Sequence, residues 1–193
     1  MKIFNYESDT HYRHEQETAN IKKLKKIWVQ ENTIEKIFND FGKNCSAVIC
    51  HGTRNGAEQN FFKKYYPNAD IIGTEISKTA GLFANTIQWD FRKQNKDWLE
   101  KFDILYSNSF DHTNIPEETL KVWHEQVKKS GCIYIEFCFD SDNNNSRASD
   151  PLEISEKDLM DLFEKSKLRV IKTYDTHGPN LNDKSKMYAL LKY

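Results

Sequence analysis

The chain lacks every simple marker of an exported, membrane-spanning or metal-stapled protein. Its four cysteines, Cys45, Cys50, Cys132 and Cys138, form no Cys-x-x-Cys pair. They sit in or beside apolar runs and read as reduced, mostly buried thiols rather than a zinc site. No pair of histidines has a metal-binding spacing with a matching carboxylate, so no metal is expected. No apolar run approaches the roughly 18 residues of a membrane span. The opening stretch, MKIFNYESDTHYRHEQE, has no apolar core of the export-signal kind. Neither charge sign dominates: 28 Lys and Arg face 29 Asp and Glu, for a net charge of -1. That balance argues against a nucleic-acid partner, which would call for a basic stripe, and Lys22–Lys26 reads as a solvated helix face. There is no internal repeat. These absences predict a cytoplasmic protein with no membrane partner and leave its oligomeric state open.

What is present suits a single folded domain. A chain of 193 residues can bury about 70% of its unfolded surface without staples. Aromatic residues at 13% supply a core. Residues 1–14 read as a polar, aromatic arm, either mobile or folded over a site. Helical spacing follows from Glu15 to Phe41, with Ile21, Leu24, Ile27 and Trp28 on one face, and a second helix from Thr33, its N-cap, to Phe41, stopped by Gly42. Strands and helices then alternate. Strands are predicted at Ser46–Cys50, Asp70–Thr74, Thr86–Trp89, Phe102–Ser107, Cys132–Phe139, Leu168–Tyr174 and Met187–Tyr193. Helices are predicted at Ala57–Tyr66, Pro116–Lys129 and Glu153–Ser166. The Asn/Asp/Ser-rich segment 141–149 reads as an exposed loop. The expectation is an α/β fold: a Rossmann-like, mostly parallel seven-stranded sheet with helices on both faces and an antiparallel C-terminal strand.

In such a sheet, ligands bind beyond the C-terminal strand ends, where strand order reverses. The first strand ends in CHGTRNGAE, where Gly52 and Gly56 bracket a turn into a helix. Glycine permits close backbone approach to a ligand, and the helix start offers free N–H groups; a plain structural turn would read the same. Glu75 ends the second strand, where a carboxylate can accept hydrogen bonds from both ribose hydroxyls of an adenosine. Asp90, between Trp89 and Phe91, can accept from an adenine amino group; the alternative is a core Trp beside a surface Asp. After the fourth strand comes YSNSFDHT. Asn108 and Ser109 would lie near the reacting end of a cofactor, while Asp111 and His112 are candidate catalytic groups, His112 as a general base near neutral pH. An exposed loop histidine without a role is the alternative.

Taken in order, the glycine loop, Glu75, Asp90, FDILYSN, the KKSGCIYIEF helix-to-strand passage and the terminal strand pair resemble a class I S-adenosylmethionine-dependent methyltransferase over Ser46–Tyr193. The HGTRNG wording is similar to small methyltransferases of bacteria and their viruses, some of whose relatives modify surface saccharides. The resemblance implies one structural domain, with residues 1–42 as an N-terminal arm and helices packing on the core and 43–193 as the S-adenosylmethionine-binding domain. It implies cofactor contacts from His51, Gly52, Thr53, Arg54, Asn55, Gly56, Glu75, Ile76, Trp89, Asp90, Phe91, Asn108 and Ser109. Tyr6, Tyr12 and Arg13 would close over the cofactor. The acceptor implied is a small molecule, through an oxygen of a sugar, phosphate or saccharide precursor. The chain departs from the family at Arg54, which stands where the usual Gly-x-Gly-x-Gly loop has its middle glycine. The backbone there must avoid positive φ or carry strain. Two other readings stay open: an NAD-type dinucleotide-dependent oxidoreductase, which Arg54 disfavours because that fingerprint needs a glycine facing the pyrophosphate, and a non-catalytic S-adenosylmethionine-binding protein.

Overall fold

The computed structural model describes residues 1–139, 146–182 and 184–193. Its elements run β1 (Lys2–Ile3), α1 (Asp9–Lys23), α2 (Glu31–Phe41), β2 (Ala47–His51), α3 (Ala57–Tyr65), β3 (Asp70–Glu75), β4 (Thr86–Gln88), β5 (Phe102–Ser107), α4 (Pro116–Gln126), β6 (Val127–Cys138), β7 (Leu152–Glu153), α5 (Glu156–Lys165), β8 (Leu168–His177) and β9 (Lys184–Lys192). Seven strands form one sheet in the order β4-β3-β2-β5-β6-β9-β8. β2 to β6 are parallel, and β9 runs antiparallel to both β6 and β8. Strand order reverses between β2 and β5, which opens a crevice at their C-terminal ends.

Strand alternation divides the core in two. Ala47 and Ile49 point to the face covered by α4 and α5, where they join Leu120, Trp123, Leu159 and Phe163. Val48 and Cys50 point to the other face and pack with Ile34 and Ile37 of α2 and Phe62 of α3. A sheet buried on both faces reads as continuous apolar runs, which is why its strands are visible in the sequence.

The arm takes the folded of its two expected forms, and the structure departs from expectation at several element ends: α2 is capped by Gln30 and not Thr33, and Leu152–Glu153 form a strand ahead of α5. The arm is built in: β1 pairs antiparallel with β7, and α1 begins at Asp9, where the Ser8 side chain caps His11 N. The supposed apolar face of Ile21, Leu24, Ile27 and Trp28 does not exist as such, because α1 ends at Lys23 and both Ile21 and Ile27 are exposed. The buried face of α1 is Tyr12, Gln16 and Asn20. At the other break, α4 ends at Gln126 and β6 starts at once with Val127. Pairing of Phe102 with Val127, followed by a bulge, takes Val127–Lys129 out of the predicted helix. Gly131 lies in this strand; a Cβ there would come within 2.8 Å of the Asp103 carbonyl. Residues 141–145 of the predicted loop lie outside the described residues. Among the described residues, no helix is long and apolar enough to cross a membrane.

Candidate active site

β2 delivers the loop His51–Gly56 to the crevice. Its backbone is left-handed at Gly52, Arg54 and Gly56, with φ of 73°, 49° and 76°. Arg54 therefore carries strain of about 1–2 kcal/mol that a glycine would avoid. Its surroundings impose the conformation. Arg54 N donates to Glu75 Oε2 at 3.1 Å, its guanidinium reaches the Lys26 carbonyl, and Asn55 Nδ2 donates to the Leu24 and Lys26 carbonyls. The loop is thus tied both to the end of β3 and to the α1–α2 connection.

Two adjoining cavities lie over this loop. The smaller, about 50 Å³, is lined by Gly52, Arg54, Glu75, Ile76, Asp90, Phe91, Ser109 and His112, and roofed by Tyr12, Gln16, Ala19, Asn20 and Lys23 of α1. Glu75 is 6% exposed and accepts from the backbone N–H groups of Arg54 and Ser77. Burial raises its carboxyl pKa in spite of these donors. On the roof, Asn20 accepts from the Thr79 hydroxyl, while its Nδ2 is buried with no hydrogen-bond partner. The roof is latched by Arg92. Its guanidinium bonds Asp90, Asn114 and Asp9 and stacks 3.5 Å from the centre of the Tyr12 ring. Tyr6 packs edge-on against Tyr12.

The larger cavity, about 510 Å³, shares Lys23, Gly52, Arg54, Ser109 and His112 with the smaller one, so the two form one cleft. Thr53, Asn55, Glu58, Asn108, Asp111, Glu136 and Asp150 line it further, with Ile27, Trp28 and Pro179 as apolar walls. Glu58 accepts from the Thr53 hydroxyl at 2.7 Å, and burial raises its pKa to about 7. His112 Nδ1 faces the Ser149 carbonyl at 2.8 Å and Gln16 Oε1 at 3.0 Å. Both are acceptors, so Nδ1 carries the proton in the neutral ring and Nε2 is left basic. Nε2 lies 3.8 Å from Asp111 Oδ1 and 3.7 Å from Asp150 Oδ1. Burial raises the Asp111 pKa. Burial opposes ionisation of Asp150 too, but His112, Lys23, Ser149 and Arg147 together hold it down to about 2. These three residues each offer a ligand atom within 4.8 Å of the others and form the one such group among the described residues.

Of the residues expected at the site, most line this cleft, but five are placed otherwise than expected. His51 lines neither cavity. It is 1% exposed, bonded on both ring nitrogens to Thr74 Oγ1 and Gln126 Oε1 and stacked on Trp123. Trp89 turns away to Trp98 in the core and donates to the Lys93 carbonyl. Asp90 does line the smaller cavity, but both its oxygens already hold Arg92. Gly56 shapes the loop as the N-cap of α3 without lining the cleft. Arg13, expected over the cofactor, pairs along its own helix with Glu17. Sequence reading missed Gln16, Asn20 and Lys23 on the roof and Glu58, Glu136 and Asp150 on the walls. The spacing of Tyr12, Gln16, Asn20 and Lys23, a polar stripe at helical period, was the available signal.

No family model matches the sequence. Among curated proteins it matches the trigger factor of Acinetobacter baumannii at 23% identity over 155 residues, covering 74% of this chain and 34% of that protein, so the chain spans about a third of the length of the curated relatives it matches. Solved structures resemble it more closely in shape. The 1,6-didemethyltoxoflavin-N1-methyltransferase of Burkholderia thailandensis, solved with 1,6-didemethyltoxoflavin and S-adenosylhomocysteine, superposes with a TM-score of 0.77 at 11% identity over 98% of this chain and 92% of that one. The cyclase SpnF gives 0.71 at 9% identity, over 95% and 94%. An S-adenosylmethionine-dependent methyltransferase of Aquifex aeolicus gives 0.60 at 13% identity, over 96% and 100%. A cyclase among such neighbours illustrates that a fold does not set a reaction. The seven-stranded sheet, its order and its C-terminal antiparallel strand give this chain the fold of the class I S-adenosylmethionine-dependent methyltransferases.

Proposed function

We propose that the chain binds S-adenosylmethionine in this cleft and transfers its methyl group to a small-molecule acceptor. The observation that carries the reading is the continuity of the two cavities across Gly52, Arg54, Ser109 and His112, with Glu75 buried at one end and a space large enough for a second molecule at the other. The residues present fit the cofactor. Glu75 keeps lone pairs beyond its two N–H bonds for ribose hydroxyls. Asn20, whose Nδ2 has no hydrogen-bond partner, lines the smaller cavity beside Glu75. A Cβ at Gly52 would lie 2.6 Å from Ser109 Cβ, so this wall accepts close approach only because it is glycine. Glu58, with Thr53 and Asn108, is placed to hold the cofactor's ammonium group. S-adenosylmethionine, when bound, supplies a methyl group already activated on sulfur.

The protein's own task is then orientation, exclusion of water and proton handling. His112 Nε2 can take the proton of an acceptor hydroxyl, and Asp111 and Asp150 stabilise the imidazolium that results. The expected acceptor atom is an oxygen of a sugar or related saccharide precursor. Four carboxylates line the larger cavity and weigh against a phosphate. A thermal-shift panel tests the cofactor. S-adenosylmethionine and S-adenosylhomocysteine at about 100 times Kd should each add about 2.7 kcal/mol, a Tm rise of about 5–10 °C for a chain this size. NAD should add nothing, and stabilisation by NAD alone would overturn the reading. Glu75→Ala should weaken S-adenosylhomocysteine binding by about 10- to 100-fold, the loss of hydrogen bonds to a charged acceptor.

A further inference from the structure

Glu136 is an unusual residue to find where it lies. On β6, Cys132, Tyr134 and Glu136 alternate onto the α2/α3 face of the sheet, the first two within its apolar core. A carboxylate at that inward position is costly unless paired. Glu136 is 3% exposed. Its Oε2 accepts from the Tyr106 hydroxyl at 2.6 Å, but its Oε1 is buried with no hydrogen-bond partner. The Thr176 hydroxyl lies beside the carboxylate and favours its charged form, but neither Glu136 Oε1 nor Thr176 Oγ1 makes a hydrogen bond of ordinary geometry. Lys36 and His177 are close enough to be felt by the carboxylate, yet each is turned elsewhere, Lys36 to the Asp175 carbonyl and His177 to that of Gly178. Glu136 lines the larger cavity together with Cys138, Pro179 and Asn180, at the end not shared with the nucleoside-side cavity. The cations of the cleft, Lys23, Lys26 and Arg54, belong instead to α1, its connection and the glycine loop.

From this placement we infer that Glu136, pinned by Tyr106, is the anchor for an amine carried by the acceptor, so that the substrate is a small molecule bearing an ammonium or other strong nitrogen donor. This deepens the methyl-transfer reading above and rests on it. A compact cation at Oε1 would complete a charge-assisted hydrogen bond in a dry setting, where such bonds are strongest. Trp28, Ile27 and Pro179 offer apolar surface for the rest of the molecule.

The test titrates the protein with benzylamine, benzyl alcohol and phenyl phosphate, in the presence and absence of saturating S-adenosylhomocysteine, by calorimetry or saturation-transfer NMR. Benzylamine should bind at least about tenfold more tightly than benzyl alcohol, and phenyl phosphate more weakly than either. Glu136→Gln should bring benzylamine down to the level of the alcohol while leaving S-adenosylhomocysteine affinity unchanged; Glu58→Gln should show the reverse. A preference for phenyl phosphate, or an amine preference that survives Glu136→Gln, overturns the inference. If Glu136→Gln does not fold, a crystal structure of the wild-type ternary complex decides. Amine nitrogen against Glu136 supports the assignment, and nitrogen elsewhere in the cleft refutes it. The two readings fail separately. Amine binding that depends on Glu136 in a protein that never binds S-adenosylhomocysteine removes the methyltransferase and keeps the amine site, whereas cofactor binding without amine preference does the opposite.

Discussion

Replacing Gly52 by alanine should be among the most damaging single-methyl additions in the chain. Gly52 has φ of 73°, where a Cβ costs about 1–2 kcal/mol. The added carbon would also stand 2.6 Å from Ser109 Cβ and 2.7 Å from Ser109 Oγ, with Phe91 Cε1 at 3.6 Å behind. Overlap of this kind in packed surroundings costs about 1–3 kcal/mol. The sum is about 2–5 kcal/mol, read as a fall in the free energy of urea unfolding. Function should suffer beyond stability, because Ser109 is a wall of both cavities and its hydroxyl donates to the Gly52 carbonyl; S-adenosylhomocysteine affinity should drop with it. A double-mutant cycle separates the two causes. Adding Ser109→Gly to Gly52→Ala removes the overlap but not the backbone cost, so it should recover about 1–3 kcal/mol as a coupling energy. A cycle that is additive within about 0.5 kcal/mol would refute the steric part, and a total loss below about 1 kcal/mol would refute the whole estimate.

Arg92→Ala should destabilise by about 3–5 kcal/mol, since it leaves Asp90, whose side chain is 3% exposed, with only the exposed Lys93 ammonium at 4.0 Å to balance its charge. It should also speed amide hydrogen exchange in α1 ahead of the core; unchanged protection there would show that Arg92 is no latch. His112→Gln should lower the rate of methyl transfer to a hydroxyl acceptor by about 10²- to 10⁴-fold with little effect on S-adenosylhomocysteine binding. Undiminished turnover would remove its role as base. Two buried groups make opposing contributions to pH dependence. Burial depresses His51 from 6.5 to about 4, so its contribution is complete above pH 6.5 and about 3 kcal/mol is lost as pH falls to 4. Burial raises Glu58 from 4.5 to about 7, so its contribution is complete below pH 4.5 and a similar amount is lost as pH rises to 7. Relative to wild type, His51→Gln should therefore gain stability toward pH 4.5 and Glu58→Gln toward pH 7 in urea titrations; parallel curves would contradict both assignments.

The parts of this protein that were legible in its sequence are those in which local chemistry and final environment agree. Ala47–His51 and Phe102–Ser107 are buried throughout, and their mostly apolar runs, Ala47–Cys50 and Ile104–Tyr106, announce it. Gly52, Glu75 and Ser109 follow strand ends, and a parallel sheet gathers strand ends at one edge whatever else surrounds them. Other residues gave misleading signals. The spacing of Ile21, Leu24, Ile27 and Trp28 imitates a core-facing helix, but α1 faces a polar cleft and buries Gln16 and Asn20 instead. His51, beside the glycine loop in sequence, alternates into the core. Val127–Lys129 continue a helical pattern, yet pairing with Phe102 draws them into β6.

By itself, then, the amino-acid order determined the alternation of strands and helices, the glycine turn and the acid that follows it, because each depends on neighbours a few residues apart. Only the tertiary structure decided which polar groups share the cleft. Gln16 meets Ser149 across 133 positions, Tyr106 meets Glu136 across 30, and His112 settles between Asp111 and Asp150. No periodicity encodes such meetings; they arise when the sheet reverses its strand order and α1 folds across the opening.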